Sequence, residues 1–338
     1  MKSSQTKDSL AVLGAGSWGT ALAILLAHNG VSVRLWGRDS VAMAEMITAG
    51  HNTRFLANFS FPTHLQACSH IEQALEGISD VLIAVPSAGF RTTLQLLARQ
   101  TRRPLRLAWA SKGLESPTGK LLHQVAGEVL PDSPLAVISG PTFAQEVAAQ
   151  LPTAITLASN DAVFAHDLGA QLHNERFRVY TSSDIIGVEV GGAVKNVLAI
   201  GAGIADGLGF GANTRAVLIT RGLTEMMRLG VALGGQRDTF MGLAGLGDLV
   251  LTCTDNQSRN RRLGLALAAG KSLSRALADI GQVVEGVQSA RELVNQAQHW
   301  AVDMPITQQV YRVLHENLPP KAAVDALLLR EQKSEAFR

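Results

Sequence analysis

Val12-Leu13-Gly14-Ala15-Gly16-Ser17-Trp18-Gly19-Thr20-Ala21-Leu22-Ala23 decides the fold of this chain. A short apolar run enters three glycines at G-x-G-x-x-G spacing, and an alanine- and leucine-rich run leaves them, so the stretch reads as strand, tight turn and helix. Gly14 permits the turn, Gly16 lets backbone approach a pyrophosphate, and Gly19 lets helix and strand pack closely. The helix N-terminus adds free N–H groups and positive potential. In this context the motif is a dinucleotide-binding turn; the bland alternative is an ordinary glycine-rich loop.

Outward from that turn, β-branched runs alternate with longer amphipathic runs. Residues 10–13, 31–36, 81–85, 105–110 and 135–139 are expected strands, with 153–158 as a further one. Residues 20–28, 41–49, 71–75 and 90–98 are expected helices between them. From about Asp184 the β-branched runs give way to helical windows at 186–205, 214–233, 259–269, 272–278, 287–298, 305–313 and 322–328. The expected architecture is α/β: an N-terminal Rossmann-type, mostly parallel, doubly wound sheet over residues 1–184, and an all-α C-terminal domain over 185–338.

Composition narrows the function. Thirty Lys and Arg against 28 Asp and Glu leave a net charge of +2, which gives no electrostatic support to a nucleic-acid partner. Cys68 and Cys253 form no C-x-x-C pair, and the nine histidines form no metal-like cluster, so neither a metal nor a disulfide framework is expected. A reducing, cytoplasmic setting fits this cysteine usage. The apolar stretches 10–27 and 185–204 are interrupted by glycines and, in the second, by Glu189 and Lys195, so membrane insertion is disfavoured.

At the end of the second strand stand Gly37-Arg38-Asp39. Arg38 suits a 2′-phosphate and Asp39 a plain ribose, so NADP is favoured and NAD stays open. A solvated turn is the alternative. Ser111-Lys112-Gly113 and Gly140-Pro141-Thr142-Phe143-Ala144 follow later strands, at the sheet edge where ligands of doubly wound folds bind. Lys195, beside Asn196 in an otherwise apolar run, is expected to be partly desolvated with a lowered pKa, which suits it to proton transfer; a nearby Lys112 would depress it further. Asp248, in Gly245-Leu246-Gly247-Asp248, is a candidate to orient that lysine or bind a hydroxyl, or else a helix cap, and Thr252 follows one turn later. Ser258-Arg259-Asn260 reads as a phosphate cradle at a helix start, or as a solvated one.

In this order the motifs from Gly14 to Asn260 resemble the bacterial NAD(P)-dependent glycerol-3-phosphate dehydrogenases, and the resemblance runs from about residue 9 to about residue 330. It implies reversible hydride transfer between a nicotinamide and dihydroxyacetone phosphate, giving sn-glycerol 3-phosphate for phospholipid synthesis. Lys195 matches the family's general acid/base, with Lys112 and Asp248 beside it. Gly140, Thr142, Ser258, Arg259 and Asn260 match substrate contacts, together with Lys112, Lys195 and Asp248. Ser17, Trp18, Arg38, Lys112, Ala144, Arg259, Val283 and Glu285 match cofactor contacts alongside Gly14, Gly16 and Gly19. The expected partner is a small molecule, and the helical half is a candidate homodimer interface. The rivals are a β-hydroxyacid dehydrogenase, whose substrate carries a carboxylate, and a non-catalytic nucleotide sensor.

Overall fold

A computed structural model describes residues 9–101 and 103–331. The chain divides into two compact units: Met1–Ser111, His123–Ile138 and Thr142–Ile185 form the first, and Lys112–Leu122, Ser139–Pro141 and Ile186–Arg338 the second.

The strands are β1 (Ser9–Leu13), β2 (Ser32–Trp36), β3 (His51–Asn52), β4 (Leu56–Ser60), β5 (Leu65–Cys68), β6 (Asp80–Ile83), β7 (Arg106–Trp109), β8 (Leu135–Ser139), β9 (Thr153–Ser159) and β10 (Phe177–Ser182). Eight of them make one sheet in the order β10-β9-β8-β7-β6-β1-β2-β5; β3 and β4 form a separate antiparallel hairpin. β1 pairs in parallel with both β2 and β6, so the order turns back on itself around the strand that feeds the glycine loop. The helices of this part are α1 (Ser17–His28), α2 (Ser40–Ala49), α3 (Ile71–Leu75), α4 (Phe90–Gln100), α5 (Leu122–Val129), α6 (Ala144–Ala148) and α7 (Ala162–Leu172). From Gly19 to Ala27 every residue of α1 is buried, which explains why it is apolar all round and not amphipathic. Gly14 has φ +122°, and a Cβ there would lie 2.6 Å from the Ala84 carbonyl oxygen, so both conformation and space demand glycine.

In the second unit follow α8 (Ile185–Gly207), α9 (Ala212–Ala232), α10 (Arg237–Met241), a π-helical turn at Leu243–Gly247, α11 (Asp248–Thr254), α12 (Arg259–Ala268), α13 (Leu273–Ile280), α14 (Glu285–His299), α15 (Pro305–His315) and α16 (Pro320–Leu328). Their core is organised on α8, whose Val190, Val194, Val197, Ile200 and Ile204 are all buried. By length and composition α8 could cross a membrane, but 94% of its apolar window is buried inside the protein.

Several elements depart from the sequence expectation. A π-helical turn stands where the glycine density of residues 242–247 reads as a plain turn, and α11, absent from the expected helical windows, follows it. The hairpin, β5, β10, α5, α6 and α7 have no counterpart among the expected elements, because they are short, partly exposed or of mixed polarity. The two units are not contiguous in sequence: Lys112–Leu122 and Ser139–Pro141 pack with the second unit although they precede it.

Candidate active site

The second unit gathers the chemistry-bearing side chains around Asp248. The π-helical turn delivers Asp248 as the first residue of α11, with its side chain fully buried. Lys195, midway along α8, places Nζ 2.5 Å from Asp248 Oδ1, and Lys112 places Nζ 2.6 Å from Asp248 Oδ2. Lys195 also donates to Thr252 Oγ1 at 2.9 Å, while that hydroxyl donates to the Asp248 carbonyl at 2.6 Å, the i to i+4 spacing of α11. Ser139 Oγ lies 3.5 Å from Asp248 Oδ2 as a more distant donor. Gly192 of α8 faces this cluster: a Cβ there would meet Ser139 Oγ at a tight 3.3 Å and Lys112 Cγ at an ordinary 3.5 Å.

Two ammonium groups on one carboxylate give a cluster of net charge +1. Burial pulls the Lys195 ammonium down; Asp248 works against that, Lys112 adds to it, and the pKa settles at about 8. Burial alone would push the Asp248 carboxyl up, but the two lysines outweigh it and hold the group below the ordinary carboxylate range. Asp248 is therefore an ionised anchor and Lys195 an acid that titrates near neutrality. An ammonium has three N–H donors, and two of those on Lys195 are engaged by Asp248 and Thr252. The third has no acceptor among the described residues.

The next residue, Asn196, faces elsewhere because successive side chains on a helix diverge by about 100°. It donates to Glu285 Oε2 at 3.4 Å and accepts from Asn260 Nδ2 at 2.9 Å, and Asn260 Oδ1 accepts from Gly286 N–H at 3.0 Å. Burial raises the Glu285 carboxyl, opposed by the charges of Arg259, Lys112 and Lys195. Ser258 caps α12 by accepting from Arg261 N–H at 3.2 Å. Arg259 is the half-buried first residue of α12, and Arg261 turns away to pair with Asp206 at 2.7 Å.

Gly140 belongs to the second unit with Lys112 and Asp248, and Val283 is 54% exposed just before α14. In the first unit lie Gly14, Gly16, Ser17, Trp18, Gly19, Arg38, Thr142 and Ala144. Ser17, Trp18 and Gly19 form the first turn of α1, behind an extended Gly16 at the N-cap. Trp18 Nε1 is buried without a partner among the described residues, and nothing stands within 4 Å of where a Gly16 Cβ would be. Both features fit a dinucleotide: an orphaned donor and an open backbone at a helix N-terminus. Arg38 is exposed at the end of β2; Asp39 Oδ1 accepts from Val41 N–H and Ala42 N–H, both at 3.1 Å, and so caps α2.

Known proteins of like sequence match this arrangement along its length. Residues 9–165 match the model described as NAD-dependent glycerol-3-phosphate dehydrogenase N-terminus, and residues 184–325 match the corresponding C-terminus. The chain belongs to the NAD-dependent glycerol-3-phosphate dehydrogenase family. It is similar to the glycerol-3-phosphate dehydrogenase [NAD(P)+] of Nitrosococcus oceani, 58% identical over 96% of this chain and 94% of that one. The enzyme of the same name from Aeromonas hydrophila is 56% identical over 97% and 98%. The crystal structure of glycerol-3-phosphate dehydrogenase from Coxiella burnetii superposes with a TM-score of 0.94 at 52% identity, over 96% of this chain and 99% of that one.

Within this glycerol-3-phosphate dehydrogenase fold, sequence reading missed Ser139 as a donor toward Asp248 and left Thr252 without a role. Thr252 had a usable signal, its i+4 spacing from Asp248 on α11. Ser139 had none, since its partner lies 109 residues away.

Proposed function

We propose that this chain catalyses the reversible reduction of dihydroxyacetone phosphate to sn-glycerol 3-phosphate with NAD(P)H, and that Lys195 is its general acid and base. Support comes from the relatives' shared name and, within the chain, from one observation: a buried lysine whose ammonium is anchored by two groups and keeps one N–H unspent.

The bound nicotinamide supplies a hydride equivalent. Everything else falls to side chains. Lys195 donates its free N–H to the ketone oxygen and transfers that proton as negative charge develops there; in the oxidation direction the neutral amine takes it back. Lys112 adds a second positive charge for the same oxygen. Asp248 fixes both lysines and, by staying ionised, keeps Lys195 from losing its proton too early. Ser258, Arg259 and Asn260 form the phosphate subsite at the N-terminus of α12, with Gly140 and Thr142 as further substrate contacts.

NADP is the favoured cofactor. The exposed Arg38 has no ion pair among the described residues and is available to a 2′-phosphate, whereas Asp39 Oδ1 is committed to capping α2. Cytoplasmic placement, homodimerisation through the helical half and supply of phospholipid synthesis belong to the same reading. Steady-state assays crossing NADH and NADPH with dihydroxyacetone phosphate and two 3-oxo acids test it. Turnover confined to the phosphorylated ketone supports the proposal; turnover of the 3-oxo acids means a β-hydroxyacid dehydrogenase; and NADPH binding without turnover means a sensor.

A further inference from the structure

The β3–β4 hairpin lies outside the main sheet and takes no part in the chemistry above, yet it inserts a wholly buried polar side chain against the glycine loop. Asn52, 0% exposed, donates from Nδ2 to the Ala15 carbonyl oxygen at 3.0 Å and to Thr20 Oγ1 at 2.8 Å, and its Oδ1 accepts from Phe55 N–H at 3.1 Å. The amide orientation is settled by those partners: a carbonyl oxygen requires a donor and a backbone N–H requires an acceptor.

The consequence follows from peptide geometry. The Ala15 C=O and the Gly16 N–H belong to one planar trans unit and point in opposite directions. Holding that carbonyl toward Asn52 therefore turns the Gly16 N–H to the opposite side. That N–H has no acceptor among the described residues, and the space on the Cβ side of Gly16 is open. The second Nδ2 bond ties the same amide to Thr20 in α1, so the loop peptide and the helix N-terminus are fixed relative to each other. The hairpin is itself held, with Phe61 N–H donating to the Gly50 carbonyl at 2.8 Å and Leu56 buried in the first unit's core.

From this geometry we infer that Asn52 is a positioning residue for the dinucleotide: it presets the Gly16 N–H and the first turn of α1 as donors to the pyrophosphate. The inference rests on the proposed NAD(P)H-dependent activity.

The experiment is NADPH fluorescence titration with full steady-state kinetics on the wild type, Asn52→Leu, Thr20→Val and the double variant, with thermal melting and active-site titration alongside. Thr20→Val is close to isosteric and removes a single acceptor, so it retains a readout if Asn52→Leu folds poorly. We expect the dissociation constant for NADPH to rise about tenfold in Asn52→Leu and about threefold in Thr20→Val, the scale of one or two net hydrogen bonds. The KM for dihydroxyacetone phosphate, and kcat at saturating NADPH per active site, should stay within about twofold of the wild type. The double variant should lose less than the product of the single losses, because both act through one bond. Unchanged NADPH affinity in both single variants overturns the inference, as does a loss wholly explained by a smaller active fraction. A wild type that binds no NADPH overturns the cofactor reading itself, and this inference with it.

Discussion

Lys195 and Lys112 share one counter-ion, with their ammonium nitrogens 2.5 and 2.6 Å from the two oxygens of the Asp248 carboxylate. A single buried carboxylate cannot fully neutralise two cations. The surplus positive charge is therefore built into the site before any substrate arrives, shared by Lys112 and Lys195.

Replacing that lysine should separate chemistry from binding. Lys195→Ala is expected to lower kcat by about a hundredfold or more, the usual scale for a lost proton donor, with NADPH affinity nearly intact. Turnover like the wild type's would take Lys195 out of the role.

The lowered pKa of Lys195 sets the sign of the pH dependence. The acid needed for ketone reduction is the ammonium, present below about pH 8 and lost above it. Log kcat/KM for reduction should thus be level below pH 8 and fall with a slope approaching −1 above it, while the oxidation rate rises over the same interval. A reduction profile level to pH 10 would contradict the assignment.

Asp248→Asn removes the anchor and leaves two buried cations facing each other. Breaking a buried ion pair from one side costs on the order of 3 kcal/mol, to be read as a lower urea midpoint. Since Asp248 works to raise the Lys195 pKa, the falling limb of the reduction profile should also move to lower pH. A stability loss without that displacement would make Asp248 a purely structural residue.

Arg38→Ala should raise the KM for NADPH about tenfold and alter that for NADH by no more than about twofold, as expected when a charge-assisted contact to the 2′-phosphate is lost. Equal losses for the two cofactors would place the 2′-phosphate elsewhere.

Arg259→Ala should raise the KM for dihydroxyacetone phosphate while leaving the cofactor preference unchanged. An unaltered KM would move the phosphate subsite away from the start of α12.

Much of this protein is legible along the chain, because its signals are local. The glycine loop, β1, β2 and α1 declare themselves through period and turn chemistry within a few tens of residues, and so does the change to helices near residue 185. Lys195 stands out because a charge interrupts an apolar run. Lys112 and Asp248 are legible beside it as candidates from their glycine-rich turns, but the density of glycine before Asp248 disguises a π-helical turn as an ordinary one. Asn52 is quieter still: an asparagine in a polar stretch carries no sign that its amide will be buried against a loop 37 residues earlier.

The amino-acid order by itself determined the sheet-then-helix architecture, the glycine turn and the identity of the candidate proton carrier, since each depends on neighbours in sequence. Only the tertiary structure decided that Lys112 and Lys195 would share Asp248, that Thr252 would accept from Lys195 and that Lys195 would titrate near pH 8. The physical reason is that desolvation and ion pairing act through space: they arise from groups 53 and 136 residues apart that meet only when the helices pack.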